Sequence, residues 1–393
     1  METVNNTPFS DGRMIGAKPD GQYFYTQVVK ATFSLPASET EKIEVASEQL
    51  PFFGSDEYDD SITGPVKFES DLVLFKPRSD IALVGSAHAP EGKPVAELDV
   101  SMQVGEVGKK IKVFGDRQWH YPSRLKLEPI MSTPASFVQM PLTYDRAFGG
   151  MDHKGGDFSP ENFQGTGIIG ARHPDSADET ALPNLEDPSD LISSWASRPK
   201  PACFGFYARG SQPRAQYAGT YDEQWRDERS PDLPEDFSLN YNNGAHPDLI
   251  YPAYLRGDEV VELHNLTPGG GHIKFRLPGV RPTLVFNKFR DPMPPIEEIE
   301  KQEGAKIEAY IENPVGPMPT IDPMKMFYDR PTDPVPVEME LDTLVFVPDE
   351  GVFYQVWRGL YPLRGGLRTD PETEQMQESI VEIHSIQIES SFL

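Results

Sequence analysis

The amino-acid sequence predicts a mainly β protein, with antiparallel, sandwich-like sheets joined by long ordered Gly/Pro-rich loops and with a few short helices. Three segments pair strand-like residues across turn residues, and one of them, at residues 98–113, shows the two-residue alternation of half-buried strands. Proline accounts for 39 of 393 residues, about twice the average frequency of roughly 5%, and an interior proline breaks a helix. Aromatic residues make up 10% of the chain, and such large apolar side chains favour a packed core over disorder.

The first predicted strands are residues 28–35 and 71–75, with an acidic loop between them. Residues 98–104 then alternate between apolar and polar side chains, GEVGKK follows as a turn, and Ile111 and Val113 resume the alternation. This pattern predicts a β-hairpin with one buried face.

The middle of the chain, from residue 115 to 256, is rich in Gly, Pro, Asn and aromatic residues and has hardly any periodic segment. Structureless loops longer than about 12–15 residues are uncommon in compact domains. We therefore expect this loop region to have its own packing or a function.

Regular patterns return after the loop region. Residues 259–266, a TPGGG turn and residues 272–277 predict a second hairpin. Residues 341–347, the turn PDEG and residues 352–359 predict a third, and a last strand is expected at 379–388.

Two short helices flanked by proline are predicted at 294–303 and 371–379. Residues 1–290 are expected to form a main β-rich domain that includes the loop region. Residues 291–334 are predicted to be a Pro-rich connecting segment, and residues 335–393 a C-terminal β unit.

The charge balance restricts the possible partners. The chain has 62 Asp and Glu against 36 Lys and Arg, a net charge of −26, which disfavours nucleic acid and anionic membranes as partners. Residues 291–393 hold 21 acidic and 7 basic side chains, about half of the excess. Because Cys203 is the only cysteine and no signal-peptide pattern is visible, we expect a cytoplasmic protein.

Motifs for cofactors and catalysis are weak in this sequence. GTGIIG at 165–170 has the glycine spacing of a dinucleotide fingerprint, but no strand precedes it and Pro174 would interrupt the following helix. Asp152, His153 and Asp157 could share a metal ion, although a solvated loop is the stronger interpretation. We predict no cofactor, no metal site and no catalytic residue.

A set of aromatic and arginine side chains remains in the loop region. These residue types dominate the hot spots of protein interfaces, through large rigid areas and bidentate hydrogen bonds. The same side chains could instead pin irregular loops together. Both roles stay open for the predicted partner-binding residues, which are Arg117, Trp119, Tyr144, Arg146, Phe148, Trp195, Tyr221, Trp225 and Arg226.

Several motifs around these residues carry a family resemblance. In chain order they are GDRQW (115–119), MPLTYDRAFGG (140–150), ENFQGTG (161–167), LPNLEDP (182–188), PACFG (201–205), GTYDEQW (219–225), PEDF (234–237) and GDEVVELHNL (257–266). In this order they resemble a bacterial family of effector adaptors or chaperones that is encoded beside type VI secretion genes. The resemblance covers roughly residues 20–285. One departure is Phe163 and Gln164, where the family commonly has a proline and a small residue.

The resemblance implies a non-enzymatic protein with two kinds of partner. Such an adaptor binds a cognate toxic effector in the producing cell, stabilises it, and helps load it onto the secretion spike, a VgrG-type trimer or its PAAR-type cap. The family has no established catalytic residues to carry over. An acidic adaptor surface would favour a basic partner through complementary potential.

Two other functions stay open at this point. The first is a hydrolase or carbohydrate-active enzyme with its site in the aromatic loops, and the second is a structural component of the spike. An enzyme predicts a deep pocket with convergent polar groups of perturbed pKa. An adaptor predicts a broad groove or an exposed apolar patch.

Overall fold

A computed structural model of the chain describes residues 2–59, 64–122, 128–152, 156–170, 179–288, 333–363, 368–369, 376–377 and 383–392. The chain divides into two compact units. The small unit comprises Met1–Thr7, Pro282–Glu338 and Leu363–Ser390, and the large unit comprises Pro8–Arg281, Met339–Pro362 and Ser391–Leu393.

Strands dominate the described residues, and helices are short. The strands before the loop region are β1 (Glu2–Asn5), β2 (Ser10–Ala17), β3 (Tyr23–Ser34), β4 (Glu57–Tyr58), β5 (Val66–Phe68), β6 (Asp80–Leu83), β7 (Ser86–His88), β8 (Glu97–Val104) and β9 (Val107–Phe114). Within the loop region the elements are β10 (Trp119–His120), β11 (Ile130–Met131), β12 (Gln139–Pro141), β13 (Phe148–Gly149), β14 (Thr166–Gly167), β15 (Leu185–Glu186), α1 (Gln212–Ala215) and α2 (Glu223–Glu228). The later strands are β16 (Val260–His264), β17 (His272–Arg276), β18 (Val280–Lys288), β19 (Asp333–Glu338), β20 (Glu340–Val347), β21 (Val352–Pro362), β22 (Arg368–Thr369), β23 (Met376–Gln377) and β24 (Ile383–Phe392).

The large unit contains two five-stranded sheets. The first sheet has the strand order β2-β3-β21-β20-β6, and the second has the order β15-β9-β8-β16-β17. Within these sheets neighbouring strands are antiparallel, except that β20 and β6 run parallel. In the small unit, one sheet has the order β1-β24-β18-β19.

Aromatic rings connect the two sheets of the large unit. Phe275 on β17 contacts Phe346 on β20 and Phe353 on β21, with ring centroids 6.3 and 5.9 Å apart. Phe353 also stacks on Phe33 of β3 at 5.4 Å. All four rings are buried, so this face of the first sheet carries an aromatic core.

The predicted fold class is confirmed, since the described chain is mainly β with antiparallel sheets and two short α-helices. All three hairpins are present, as β8–β9, β16–β17 and β20–β21. The first hairpin is tighter than GEVGKK suggested, because only Gly105 and Glu106 separate its strands. Gly105 has a φ of +54°, a conformation that glycine adopts without steric cost.

The strand predicted at 71–75 is wrong, because side chains take the hydrogen bonds that a neighbouring strand would supply. The carbonyl groups of Asp71 and Val73 accept hydrogen bonds from the Arg358 guanidinium, at 2.7 and 3.1 Å. The carbonyl of Leu74 accepts from the Thr26 hydroxyl at 3.1 Å. Segment 69–76 is therefore an irregular strap, tied to β3 and β21 by side chains.

Two predictions fall wholly or partly outside the described residues. The helix predicted at 294–303 lies outside them. The helix predicted at 371–379 is wrong at its described residues, since Met376–Gln377 form β23 and pair with β22.

The predicted domain division remains a prediction, because most of the connecting segment 291–334 is not described. The third hairpin belongs to the first sheet, where β21 pairs with β3 along its whole length. Residues 341–362 therefore share a sheet with strands from the start of the chain.

Candidate functional site

Arg117, in the motif GDRQW, is buried and connects two loops. Its guanidinium donates to the carbonyl of Pro183 at 3.0 Å and pairs with the carboxylate of Glu186. It also lies over the ring of Phe114, 3.7 Å from the centroid. The two side chains are only 6% and 1% exposed, and this burial raises the pKa of Glu186 even though Arg117 opposes the shift.

The aromatic members of the motifs form one apolar cluster. Trp119 and Phe148 are buried there, and Trp195 packs against it from its edge. The aliphatic members are Ile169, Leu182 and Ile192, with Met131 at the edge. These rings fill the space between loops that have almost no regular secondary structure.

Tyr144 and Arg146 support the same loops from the motif MPLTYDRAFGG. Tyr144 is buried against Tyr207, with ring centroids 4.3 Å apart. Arg146 donates to the side-chain oxygen of Asn184 at 3.0 Å and lies 3.8 Å from the Asp116 carboxylate.

Glycines in these motifs allow close backbone contact. A Cβ atom on Gly115 would overlap the carbonyl oxygen of Ala135. Gly150 has a φ of +86°, and a Cβ atom there would overlap the carbonyl oxygen of Gly165. The glycines of GDRQW and AFGG are therefore required by backbone packing.

Six of the nine predicted partner-binding residues thus lie around one segment, residues 181–186. The backbone of this segment bonds to both motifs that precede it, through Leu182 N to Arg117 O and Asn184 N to Arg146 O, each 2.9 Å. Arg117, Trp119, Tyr144 and Phe148 are less than 9% exposed, so in this fold their side chains have the loop-pinning role.

Tyr221, Trp225 and Arg226 lie elsewhere, on and beside α2, and they are accessible. Tyr221 is 53% exposed, and its ring meets Trp225 edge to face, with centroids 4.7 Å apart and planes at 72°. The Trp225 indole donates to the carbonyl of Asp232 at 2.8 Å. Arg226 points to solvent and pairs only with Asp227 among the described residues, at 3.0 Å. We call residues 220–237 the α2 patch.

Two side chains hold α2 in place. Asp222 caps the helix by accepting a hydrogen bond from the Trp225 amide at 2.8 Å. Arg229, just after the helix, donates to the carbonyls of Leu233 and Pro19, at 3.1 and 2.8 Å. The aromatic pair, with Tyr221 exposed and Trp225 half-buried, is therefore held on a fixed support.

A second cluster of titratable groups lies where β9 meets the loops. The Lys109 amino group pairs with Asp187 at 3.3 Å and with Asp248 at 2.9 Å. His246 packs against Tyr207 and accepts a hydrogen bond at Nδ1 from the amide of Asp248 at 3.2 Å. Burial and the charge of Lys109 lower the pKa of His246 to about 4.

We expect His246 to make the stability of the protein fall in mild acid. Its pKa in the folded state lies below the ordinary value of 6.5, so its contribution is complete above pH 6.5 and is lost as the pH falls towards 4. The loss amounts to about 3 kcal/mol. Urea denaturation of the wild type and of His246→Asn at pH 7.5, 6 and 5 measures the part of this loss that is expected by pH 5, about 2 kcal/mol. His264→Asn on β16 is the exposed control. Equal pH dependence in wild type and His246→Asn would contradict the assignment.

The largest polar feature, which the sequence did not reveal, is a buried network of eight charged side chains. It contains four cations and four carboxylates, each less than 5% exposed. We call it the charged core. Its members are Lys30, Glu69, Asp71, Lys76, Asp80, Arg214, Asp342 and Arg358.

Lys76 lies at the centre of the charged core. Its amino group contacts Glu69 at 2.8 Å and Asp80 at 2.7 Å, and Arg214 contacts the other oxygen of Glu69 at 2.7 Å. Although burial opposes the shift, the charges of Lys76 and Arg214 lower the pKa of Glu69 to about 2.

Of the other two pairs, one attaches the strap to the first sheet and one joins two strands of that sheet. Lys30 on β3 donates to Asp71 at 3.0 Å, with its amino group 3.7 Å from the centroid of the Phe53 ring. Arg358 on β21 pairs with Asp342 on β20. The sequence contained one signal of the charged core, namely a charged residue inside an apolar strand, such as Lys30 in VVKATF.

Comparison with known families gives one result. A family described as uncharacterised proteins conserved in bacteria (DUF2169) matches residues 20–358. The chain belongs to this family. No curated protein and no solved structure matches it.

The DUF2169 match spans both the charged core and the α2 patch. Among the described residues of this DUF2169 protein, no group of three or more His, Cys, Asp or Glu side chains could hold a metal ion. His153, of the loop that could share a metal, lies outside the described residues, and the carboxylate of Asp152 accepts a hydrogen bond from the amide of Gly170 at 2.7 Å. No helix in the described part of the chain is long and apolar enough to cross a membrane.

Proposed function

We propose that this DUF2169 protein is an effector adaptor of bacterial type VI secretion. In the cytoplasm of the producing cell it binds a cognate toxic effector, stabilises it and helps load it onto a VgrG-type or PAAR-type spike protein. The proposal is supported by the order of the motifs from GDRQW to GDEVVELHNL, all of which lie inside the matched range.

The α2 patch is the observation that carries a binding role. Among the predicted residues, Tyr221 and Arg226 are exposed while the arginine and aromatic residues of the other motifs largely face inwards. A rigid pair of tyrosine and tryptophan, with Tyr221 exposed and Trp225 half-buried, is typical of interface hot spots, because these rings lose little entropy on binding.

The second candidate is a hydrolase or carbohydrate-active enzyme that uses the Lys109 cluster, which brings titratable groups together near the aromatic loops. Although partial burial opposes it, hydrogen bonds and the charge of Lys109 lower the pKa of both Asp187 and Asp248. Both carboxylates are therefore ionised at neutral pH. Acid–base hydrolysis by two carboxylates requires one with a raised pKa, and we therefore place the adaptor first.

The test of the adaptor function is deletion of the gene in its native bacterium. Quantitative mass spectrometry of the culture supernatant is compared between the wild type, the deletion strain and a strain whose type VI apparatus is inactive. We expect the deletion strain to lose one effector from the supernatant while the spike proteins are still exported. The effector should also fall in abundance inside the cell. An unchanged set of exported proteins, with the secretion apparatus active, would overturn the proposal.

A further inference from the structure

We propose that the α2 patch binds an arginine-rich, positively charged segment of the partner protein. This inference rests on the adaptor function, and it names both the surface that holds the partner and the chemistry that the surface recognises.

The first argument is the uncompensated charge of the patch. Between Asp222 and Asp236 there are seven carboxylates, while the whole patch contains only two arginines, a net charge of −5. Both arginines are already engaged, Arg226 with Asp227 and Arg229 with Glu235. The patch therefore attracts a cationic segment and repels nucleic acid and anionic lipid.

The second argument is the aromatic pair at the centre of this charge. A guanidinium group stacks on tyrosine and tryptophan rings and donates to carboxylates at the same time. Glu223 follows Tyr221 by two residues and is exposed, and Asp227 lies one turn further along α2. Rings and carboxylates of this kind match arginine better than lysine, because only the guanidinium combines a planar face with several donors.

The third argument is that the patch is already ordered before a partner arrives. Asp236 closes the loop by accepting hydrogen bonds from the amide and the hydroxyl of Thr220, at 2.9 and 2.8 Å. The Trp225 indole is fixed by its bond to Asp232. Preformed binding groups lose less conformational entropy on association.

The experiment uses the purified full chain and a fluorescein-labelled peptide with four Gly-Ser-Arg repeats. Binding is measured by fluorescence anisotropy at 0.15 M NaCl. The matched control peptide carries citrulline in place of arginine, which keeps the shape and removes the charge. We expect the arginine peptide to bind and the citrulline peptide to bind at least tenfold more weakly.

Variants then locate the site. Trp225→Ala and Tyr221→Ala are each expected to raise Kd about tenfold or more, and Glu223→Gln several-fold. Phe158→Ala removes an equally exposed ring, 56% exposed, far along the chain in the loop region, and Glu91→Gln removes an exposed carboxylate outside the patch. Both are expected to bind as the wild type does. Circular dichroism confirms that each variant is folded.

The inference is overturned if the citrulline peptide binds equally well, if the arginine peptide does not bind, or if Phe158→Ala weakens binding as much as Trp225→Ala. It can fail independently of the adaptor function. If the deletion strain loses an effector from the supernatant but the patch variants bind the peptide as the wild type does, the adaptor function stands and only this binding surface is refuted. If the deletion strain exports every effector but the patch variants lose peptide binding, the binding surface stands and only the adaptor function is refuted.

Discussion

Replacing Lys76 by methionine is expected to lower the free energy of unfolding of the large unit by about 3–5 kcal/mol at pH 7.5. The substitution leaves Glu69 and Asp80 buried without the cation that now lies within 2.8 Å of both. Stabilities of folded domains are about 5–15 kcal/mol, so the loss is a large share of the total. Urea denaturation followed by tryptophan fluorescence measures it, because all four tryptophans lie in the large unit.

The dependence of this effect on pH tests its cause. Because the charges of Lys76 and Arg214 lower the pKa of Glu69 to about 2, losing Lys76 raises that pKa, and the difference between Lys76→Met and the wild type should shrink as the pH falls from 7.5 towards 3. The double variant Lys76→Met, Asp80→Asn should recover part of the stability, since Glu69 keeps its contact with Arg214 and no carboxylate is left without a cation.

Lys274→Met is the matched control for Lys76. Lys274 forms its ion pair with Glu262 on the exposed face of the second sheet, where solvent screens the charges. We expect no measurable change in its unfolding transition. If Lys76→Met unfolded at the same urea concentration as the wild type at every pH, the structural role of the charged core would be refuted.

Arg117→Met is expected to lower the free energy of unfolding by about 3 kcal/mol or more. Partner binding should be lost only under conditions in which the variant is unfolded. The variant leaves Glu186 buried, still accepting a hydrogen bond from the Ile192 amide at 2.7 Å but without its cation. A double-mutant cycle with Glu186→Gln measures the coupling, and the double variant should be more stable than Arg117→Met alone.

Arg226→Met provides the contrast, because the same residue type lies there in solvent. We expect unchanged unfolding and unchanged or tighter binding of the arginine peptide, measured by fluorescence anisotropy, because the substitution removes a positive charge from the acidic α2 patch and frees the Asp227 carboxylate. If Arg117→Met stayed as stable as the wild type and lost binding, the assignment of GDRQW to loop packing would have to be reversed.

The sequence predicted the hairpins well because their signals are local. Alternation in residues 98–104 shows one buried face and one polar face, and the structure has this pattern in β8. Strand β3 is different, since residues 25–33 are buried on both faces. No alternation marks such a strand, and only its β-branched and aromatic residues favour it.

The sequence predicted the candidate site only as a set of residues in which buried and exposed side chains were not distinguished. Residue type identified arginine and aromatic side chains, yet nothing in the sequence separated Arg117, which is 8% exposed, from Arg226, which lies in solvent. The separation depends on Glu186, 69 residues away in the chain. A local pattern contains no information about a contact at that distance.

The sequence by itself therefore determined the β class, the three hairpins and the acidic balance that disfavours nucleic acid and anionic membranes. Each follows from residue composition or from side chains within a few positions of one another. Only the tertiary structure decided that the third hairpin pairs with β3, that the charged core buries four cations and four carboxylates, and that Tyr221 of the α2 patch is exposed. These features depend on contacts between distant segments, where burial removes water and the choice of partner decides whether a charge is stabilised or exposed.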